Sequence, residues 1–224
     1  ANESLVQRFL REAQAASRLS HPNIVVLLDF GQELHDGLLY LVMEFLDGHS
    51  LQRVIDTEAP LPLREVFALS RQILLALDEA HAHDVVHRDL KPDNIIIVPT
   101  RQGAPQVKVV DFGLAQMLDA EGPRLTSSGL ICGTPTYLSP EQARSPDVGP
   151  LTDIYSFGVL LYEMATGVLP FDGTTAFEMV SKHLTEIPPH PAERAPQISL
   201  PEPFCQLVLR CLRKEPAERW QGAM

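Results

Sequence analysis

The stretch from Asp153 to Ala165 constrains the fold more than any other part of the chain. Ile154, Phe157, Val159, Leu160, Leu161 and Met164 fall on every side of a helical wheel, and Gly167 stands just beyond, at the position where a left-handed residue ends a helix. A helix that is apolar all round has no solvent face, so other helices must enclose it. The 224 residues suffice for that, being one or two domains of roughly 100–200 residues each.

The enclosing pieces are legible. Val66, Leu69, Ile73, Leu77 and His81 recur at i, i+3 or i+4, which predicts a long amphipathic helix from Leu63 to His83. A further helix is expected over Glu202 to Arg213, after a Pro-rich linker from Pro188 to Pro203. Near the start, Leu5, Phe9, Ala13, Ala16 and Leu19 predict a helix over Glu3 to Leu19, closed by His21-Pro22. Ile24 to Asp29 and Leu38 to Phe45 are β-rich runs around Asp36-Gly37, the signal of an antiparallel pair, and Ile95 to Val98 with Val107 to Val110 read as a second hairpin. The polar, Gly/Pro-punctuated stretch Asp119 to Ser145 is too long for an ordinary connection, which marks it as functional or mobile.

Composition excludes several classes. With 45% hydrophobic and 21% charged residues the chain matches folded soluble domains, so disorder and coiled coil are out. The net charge of −11 leaves no basic face to displace counterions, which argues against nucleic acid as partner. Cys132, Cys205 and Cys211 are an odd set without C-x-x-C spacing, so neither a disulfide framework nor a zinc ribbon is expected and a reducing, cytoplasmic setting is. No apolar run reaches the roughly 18 residues of a membrane span, and no membrane contact is expected from this segment, though an anchor outside it remains open. The lack of an initiator Met leads us to expect a piece of a longer protein.

The chemistry concentrates in His87-Arg88-Asp89-Leu90-Lys91-Pro92-Asp93-Asn94, a loop between the long helix and the second hairpin. Asp111-Phe112-Gly113 follows the other strand of that hairpin, and antiparallel pairing brings Asn94 beside Asp111. A carboxylate and an amide oxygen make a hard, oxygen-only site suited to Mg2+. A zinc reading of His81, His83, His87 and Asp89 lacks an external fourth ligand.

These two motifs resemble the catalytic and metal-binding loops of eukaryotic-type protein kinases, and in wording most resemble the bacterial serine/threonine kinases. The resemblance extends along the whole chain. Gly133-Thr134-Pro135-Thr136-Tyr137-Leu138-Ser139-Pro140-Glu141 is similar to the end of a kinase activation segment, with Ser139 where Ala is usual, and Asp153-Ile154-Tyr155-Ser156-Phe157-Gly158 to the buried helix of the large lobe. It implies an α+β, protein-kinase-like two-lobe fold: a partial small lobe over 1–46, a mostly helical large lobe over 47–224, and an activation segment over 111–141.

The implied function is transfer of the γ-phosphoryl group of ATP, with Mg2+, to Ser/Thr hydroxyls of protein substrates. Asp89 would orient the hydroxyl and accept its proton; a carboxylate, with an ordinary pKa of about 4, is a weak base, so positioning matters more than basicity. Lys91 would sit against the transferring phosphoryl group. Asn94 and Asp111 would hold Mg2+, since an unscreened Asp111 beside a triphosphate is repelled by about 4 kcal/mol at 4 Å and an effective dielectric near 20. The hinge at Met43, Glu44 and Leu46 would hold adenine through Glu44 C=O and Leu46 N–H. Glu12 would pair with a Lys upstream of Ala1, where a Gly-rich loop is also expected, because no G-x-G-x-x-G occurs in the chain. Thr134 would belong to the substrate shelf. Structural roles fall to His87, Arg88, Phe112, Gly113, Glu141, Asp153, which is otherwise only an N-cap, and Arg219, the partner implied for Glu141. Regulation would come from autophosphorylation at Thr126 and Ser128, with self-association for transfer between copies.

Two other classes stay open: a pseudokinase or scaffold, if the upstream Lys is missing, and a small-molecule kinase of the aminoglycoside type, which would not carry the Gly133–Glu141 segment.

Overall fold

Thr152 to Thr166 are all buried, so the all-apolar segment does lie at the centre of the molecule, in a computed structural model that describes residues 3–33, 35, 37–101, 103–112, 135–145 and 147–223. The helix order is α1 (Glu3–Ala16), α2 (Leu51–Glu58), α3 (Leu63–Ala82), α4 (Leu151–Thr166), α5 (Ala176–Thr185), α6 (Pro191–Arg194) and α7 (Glu202–Cys211). The central helix α4 ends where Gly167 takes φ 74° and returns its N–H to the Glu163 carbonyl. α4 also contains Gly158, which lets α7 approach: a Cβ there would stand 2.5 Å from that of Cys211. One large core joins α2, α3, α4 and α7 to the strands that carry the chemistry, with Val66, Ile73, Leu77, Leu90, Ile95 and Leu160 fully buried.

The strands are β1 (Leu27–Gln32), β2 (Leu39–Met43), β3 (His49–Ser50), β4 (Ile95–Val98) and β5 (Gln106–Val109). β4 and β5 pair antiparallel with Ile95 opposite Val109, as the second hairpin predicts, and β3 adds an edge that spacing did not reveal. β1 and β2 pair antiparallel against α1, where Phe9 and Ala13 form a smaller, separate core with Leu27, Phe30, Leu39 and Leu41. This division into a small sheet with one helix and a larger, mostly helical body is the two-lobe arrangement of a kinase fold.

Several boundaries differ for physical reasons. Ile24 and Val25 do not begin β1; Val25 N–H donates to the Val109 carbonyl and Ile24 is buried in the large core, so this segment ties the lobes together. α1 stops at Ala16, and turns carry the chain to Leu19, which packs in the large core while Phe9 and Ala13 pack in the small one. α7 stops at Cys211 rather than Arg213. The sequence reading missed α2, capped by Ser50 accepting from Arg53 N–H, and α5, capped by Thr175 accepting from Glu178 N–H. The Pro-rich linker contains α6. No described helix is long and apolar enough to cross a membrane.

A buried histidine makes stability depend on pH. His183 is fully buried, its Nδ1 2.9 Å from the Tyr155 hydroxyl and its ring against Phe171, with the Lys214 ammonium bonded to its carbonyl. Burial, then Lys214, lowers its pKa to about 4. The unfolded chain takes up a proton near the ordinary value of about 6.5 that the folded chain refuses, so this contribution is complete above that pH and is lost as pH falls towards 4. Between pH 7 and 5 the loss should be about 2 kcal/mol. Urea melts at the two pH values should show that difference in the native protein, and less of it in His183→Gln; equal profiles would contradict the assignment.

Candidate functional site

A strained loop held by a buried carboxylate forms the base of the site. Arg88 has φ 66°, a left-handed conformation that non-glycine residues rarely adopt. The restraint comes from Asp153 on α4, fully buried, whose Oδ1 accepts from Arg88 N–H at 2.8 Å and whose Oδ2 accepts from His87 N–H at 2.9 Å and His81 Nε2 at 2.8 Å. Three donors compensate a charge that would otherwise be costly to bury. Asp153 does not cap α4; the N-cap is Pro150, without a side-chain bond. His87 is also fully buried, and desolvation keeps it neutral by lowering its pKa. Its Nε2 faces the Val110 carbonyl at 2.9 Å, so that nitrogen carries the proton, and Nδ1 accepts from Asp89 N–H.

Asp89, Lys91 and Asn94 then converge. Lys91 Nζ donates to Asp89 Oδ2 at 2.7 Å, and Asn94 Nδ2 donates to the same oxygen at 3.1 Å and to the Asp89 carbonyl at 2.9 Å. The buried Asn94 thus turns its nitrogen to Asp89 and keeps its amide oxygen as a possible ligand. Val110 N–H donates to the Asn94 carbonyl, which sets Asp111 beside Asn94. Asp111 is left-handed at φ 63°, and burial is the main cause that pushes its carboxyl above the usual range, with Asp89 adding repulsion. Phe112 is buried against His87, ring centroids 4.7 Å apart, and with Asp111, Met43, Leu19 and Leu41 lines a small pocket.

Met43 lines this pocket and leads into Glu44 to Leu46, the segment expected to act as a hinge. Glu44 N–H is taken by the Val26 carbonyl, whereas among the described residues neither Glu44 C=O nor Leu46 N–H has a backbone partner. The Glu44 side chain anchors the segment: its Oε1 accepts from Val26 N–H at 2.9 Å and from Lys108 Nζ at 2.6 Å, and Lys108 also donates to the Ile24 carbonyl. Glu12 on α1 is half-buried with Oε2 unpartnered among the described residues; desolvation raises its pKa, and Arg88 works the other way.

A second anchor lies below the loop. Arg219, fully buried, makes a bidentate pair with Glu141 through Nη1–Oε1 at 2.6 Å and Nη2–Oε2 at 2.7 Å. Next to Glu141, Gln142 Nε2 donates to the Arg88 carbonyl at 2.6 Å. Ser139, where Ala is usual in the resembling motif, is buried with its hydroxyl 2.5 Å from that of Thr152, so the extra oxygen is satisfied.

Gly113, Thr126, Ser128 and Thr134 lie outside the described residues. The zinc reading fails: His81 faces Asp153, His83 faces the Glu79 carbonyl and His87 faces Val110, so they do not share a centre. Sequence reasoning missed His81 as a partner of Asp153, and missed Gln142 and Lys108. His81 stood in the sequence as one more core position of α3, and nothing in local spacing separated it from Leu77.

A strained loop over a buried carboxylate, an Asp-Lys-Asn cluster and a second aspartate beside a small pocket lie together on a two-lobe fold. The family model for the protein kinase domain matches residues 1–223, and the chain belongs to that family. It is 46% identical over 221 residues to serine/threonine-protein kinase pkn3 of Myxococcus xanthus, covering 98% of this chain and 40% of that protein. It is 38% identical over 224 residues to PrkC of Bacillus subtilis, covering 100% of this chain and 33% of that one. Among solved structures it is similar to the PknI kinase domain of Mycobacterium tuberculosis, with TM-score 0.73, 26% identity, and coverage of 100% of this chain and 77% of the other. The chain therefore spans well under half the length of the curated relatives named here.

Proposed function

We propose that the chain is the catalytic part of a serine/threonine protein kinase that transfers the γ-phosphoryl group of Mg-ATP to Ser and Thr hydroxyls of proteins. The observation that carries this reading is the convergence of Lys91 and Asn94 on a single oxygen of Asp89, beside Asp111. Both donors bind Oδ2, so Oδ1 is the atom assigned to orient the substrate hydroxyl and take its proton. Lys91 carries fixed positive charge to where negative charge spreads in the transition state. Glu44 C=O and Leu46 N–H are assigned to adenine, with Met43 behind them; Lys108 holds that segment in register.

Asn94 and Asp111 fit a hard divalent cation: both offer oxygen, and Asp111 is partly buried and repelled by Asp89, a repulsion a cation relieves. When bound, Mg2+ would offset the charge of the phosphates there. Thr134 is assigned to the substrate shelf. Thr126 and Ser128 are assigned as autophosphorylation sites, reached between copies, whose phosphates would pair with Arg88. The domain limits 1–46 and 47–224 are part of this reading.

The unpartnered Oε2 of Glu12 favours a second reading, a scaffold without chemistry, should no upstream Lys meet it. The test includes whatever residues the reading frame places before Ala1. The protein is incubated with ATP and Mg2+, offered Ser/Thr peptides, Tyr peptides and an aminoglycoside, and its phosphopeptides are mapped. Transfer to Ser/Thr peptides, with phosphate within 113–134, is expected. Nucleotide binding without any transfer would establish the scaffold instead.

A further inference from the structure

His190, Glu202 and Cys205 lie outside the site described above, where α6 and α7 meet. Each offers one ligand atom, and those three atoms lie within 4.8 Å of one another. His190 is the N-cap residue of α6 but makes no side-chain cap bond, so its ring is not committed to the helix end. Glu202 and Cys205 stand at i and i+3 on α7, which puts them on one face. Cys205 is fully buried, whereas the Glu202 side chain is 63% exposed, so the cluster runs from the core to solvent.

We propose that His190 Nε2, Glu202 Oε2 and Cys205 Sγ bind one Zn2+ ion, with water in the fourth position. The donor set is mixed nitrogen, sulfur and oxygen, which suits zinc and disfavours Mg2+ or Ca2+. The spacing of His190 and Glu202 fits as well. Ligands about 2.0 Å from a tetrahedral zinc are about 3.3 Å apart, and His190 Nε2 is 3.3 Å from Glu202 Oε2.

The surroundings orient the carboxylate. Gln206 Nε2 donates to Glu202 Oε1 at 2.5 Å, which turns Oε2 towards His190. Without metal, burial and the nearby Glu202 charge raise the Cys205 pKa and keep it a thiol, while a backbone hydrogen bond from Ala192 acts in the opposite sense. Binding forms a zinc–thiolate bond and releases the thiol proton to solvent. Zinc bound there would clamp the start of α7, which packs on the central helix α4, to the segment before α6.

Co2+ is the probe, because a thiolate ligand gives it a near-ultraviolet charge-transfer band and tetrahedral geometry gives it visible bands. The full chain, reduced and free of metal, is titrated with Co2+ and then with Zn2+. Expected are both sets of bands, saturating at one Co2+ per chain and bleached by Zn2+. Cys205→Ser should lose the charge-transfer band although Cys132 and Cys211 remain. Glu202→Gln, at an exposed position that leaves folding intact, should weaken Co2+ binding by more than the roughly 10- to 100-fold that loss of an outer partner costs. No charge-transfer band, a band that survives Cys205→Ser, or unchanged affinity in Glu202→Gln would each overturn the site and leave an ordinary His–Glu ion pair over a core thiol.

Discussion

Asp89→Asn should lower phosphoryl transfer by about 10²- to 10⁴-fold, the range that a positioned proton acceptor supplies, while nucleotide binding stays largely intact. The geometry makes this substitution selective. Lys91 and Asn94 both donate to Oδ2, so an asparagine at 89 must turn its amide oxygen to them; the opposite flip would set donor against donor. The NH2 group then occupies the position of Oδ1. The loop keeps its hydrogen bonds, and the substrate hydroxyl meets a donor where it needs an acceptor. Transfer is read from radiolabelled phosphate on peptide, and nucleotide affinity from calorimetry. If affinity fell in proportion to transfer, Asp89 would be a structural residue of the loop, and the proposed role would be lost.

What the sequence revealed, and what it hid, follows from the range of each interaction. The helices α3 and α4 were legible because their burial is written in short-range periodicity, and the hairpin β4–β5 because β-branched runs flank a turn. The proximity of Asn94 and Asp111 followed from that hairpin alone. Two residues that hold the site in shape, His81 and Lys108, were hidden, because their partners are distant in sequence. His81 meets Asp153 across 72 positions, and Lys108 meets Glu44 across 64. Neither pairing leaves a local pattern. α2 was lost for a different reason: eight residues with only Leu51, Val54 and Ile55 buried give too few repeats to stand out. Asp153 is the instructive case: its place near the start of a helix suggested only a cap, the resemblance gave it a hold on the catalytic loop, and its carboxylate does accept from that loop 65 residues earlier.

Arg219→Met should destabilise the fold by about 3–5 kcal/mol, the cost of removing one partner of a buried ion pair. All five N–H donors of Arg219 are used: Nε to the Arg213 carbonyl, Nη1 to Glu141 and the Leu151 carbonyl, Nη2 to Glu141 and the Lys214 carbonyl. Methionine fills the volume yet takes the guanidinium donors away from a carboxylate and three carbonyls. For a domain of this size the melting temperature should fall on the order of 10 °C. Arg219→Lys keeps the charge but not the planar fork, so it should recover only a minor part. If lysine restored full stability, charge alone would suffice and the bidentate geometry would be incidental. Glu141→Gln in the Arg219→Met background should cost less than Glu141→Gln alone, because the carboxylate it removes is already unpaired. The effect should reach catalysis too. Gln142, next to Glu141, holds the Arg88 carbonyl while Asp153 holds the Arg88 N–H, so the left-handed Arg88 is gripped from both sides. Loosening one grip lets that residue relax, and Asp89, the next in the chain, moves with it. Transfer measured well below the melting temperature of Arg219→Met should therefore fall more than the folded fraction does.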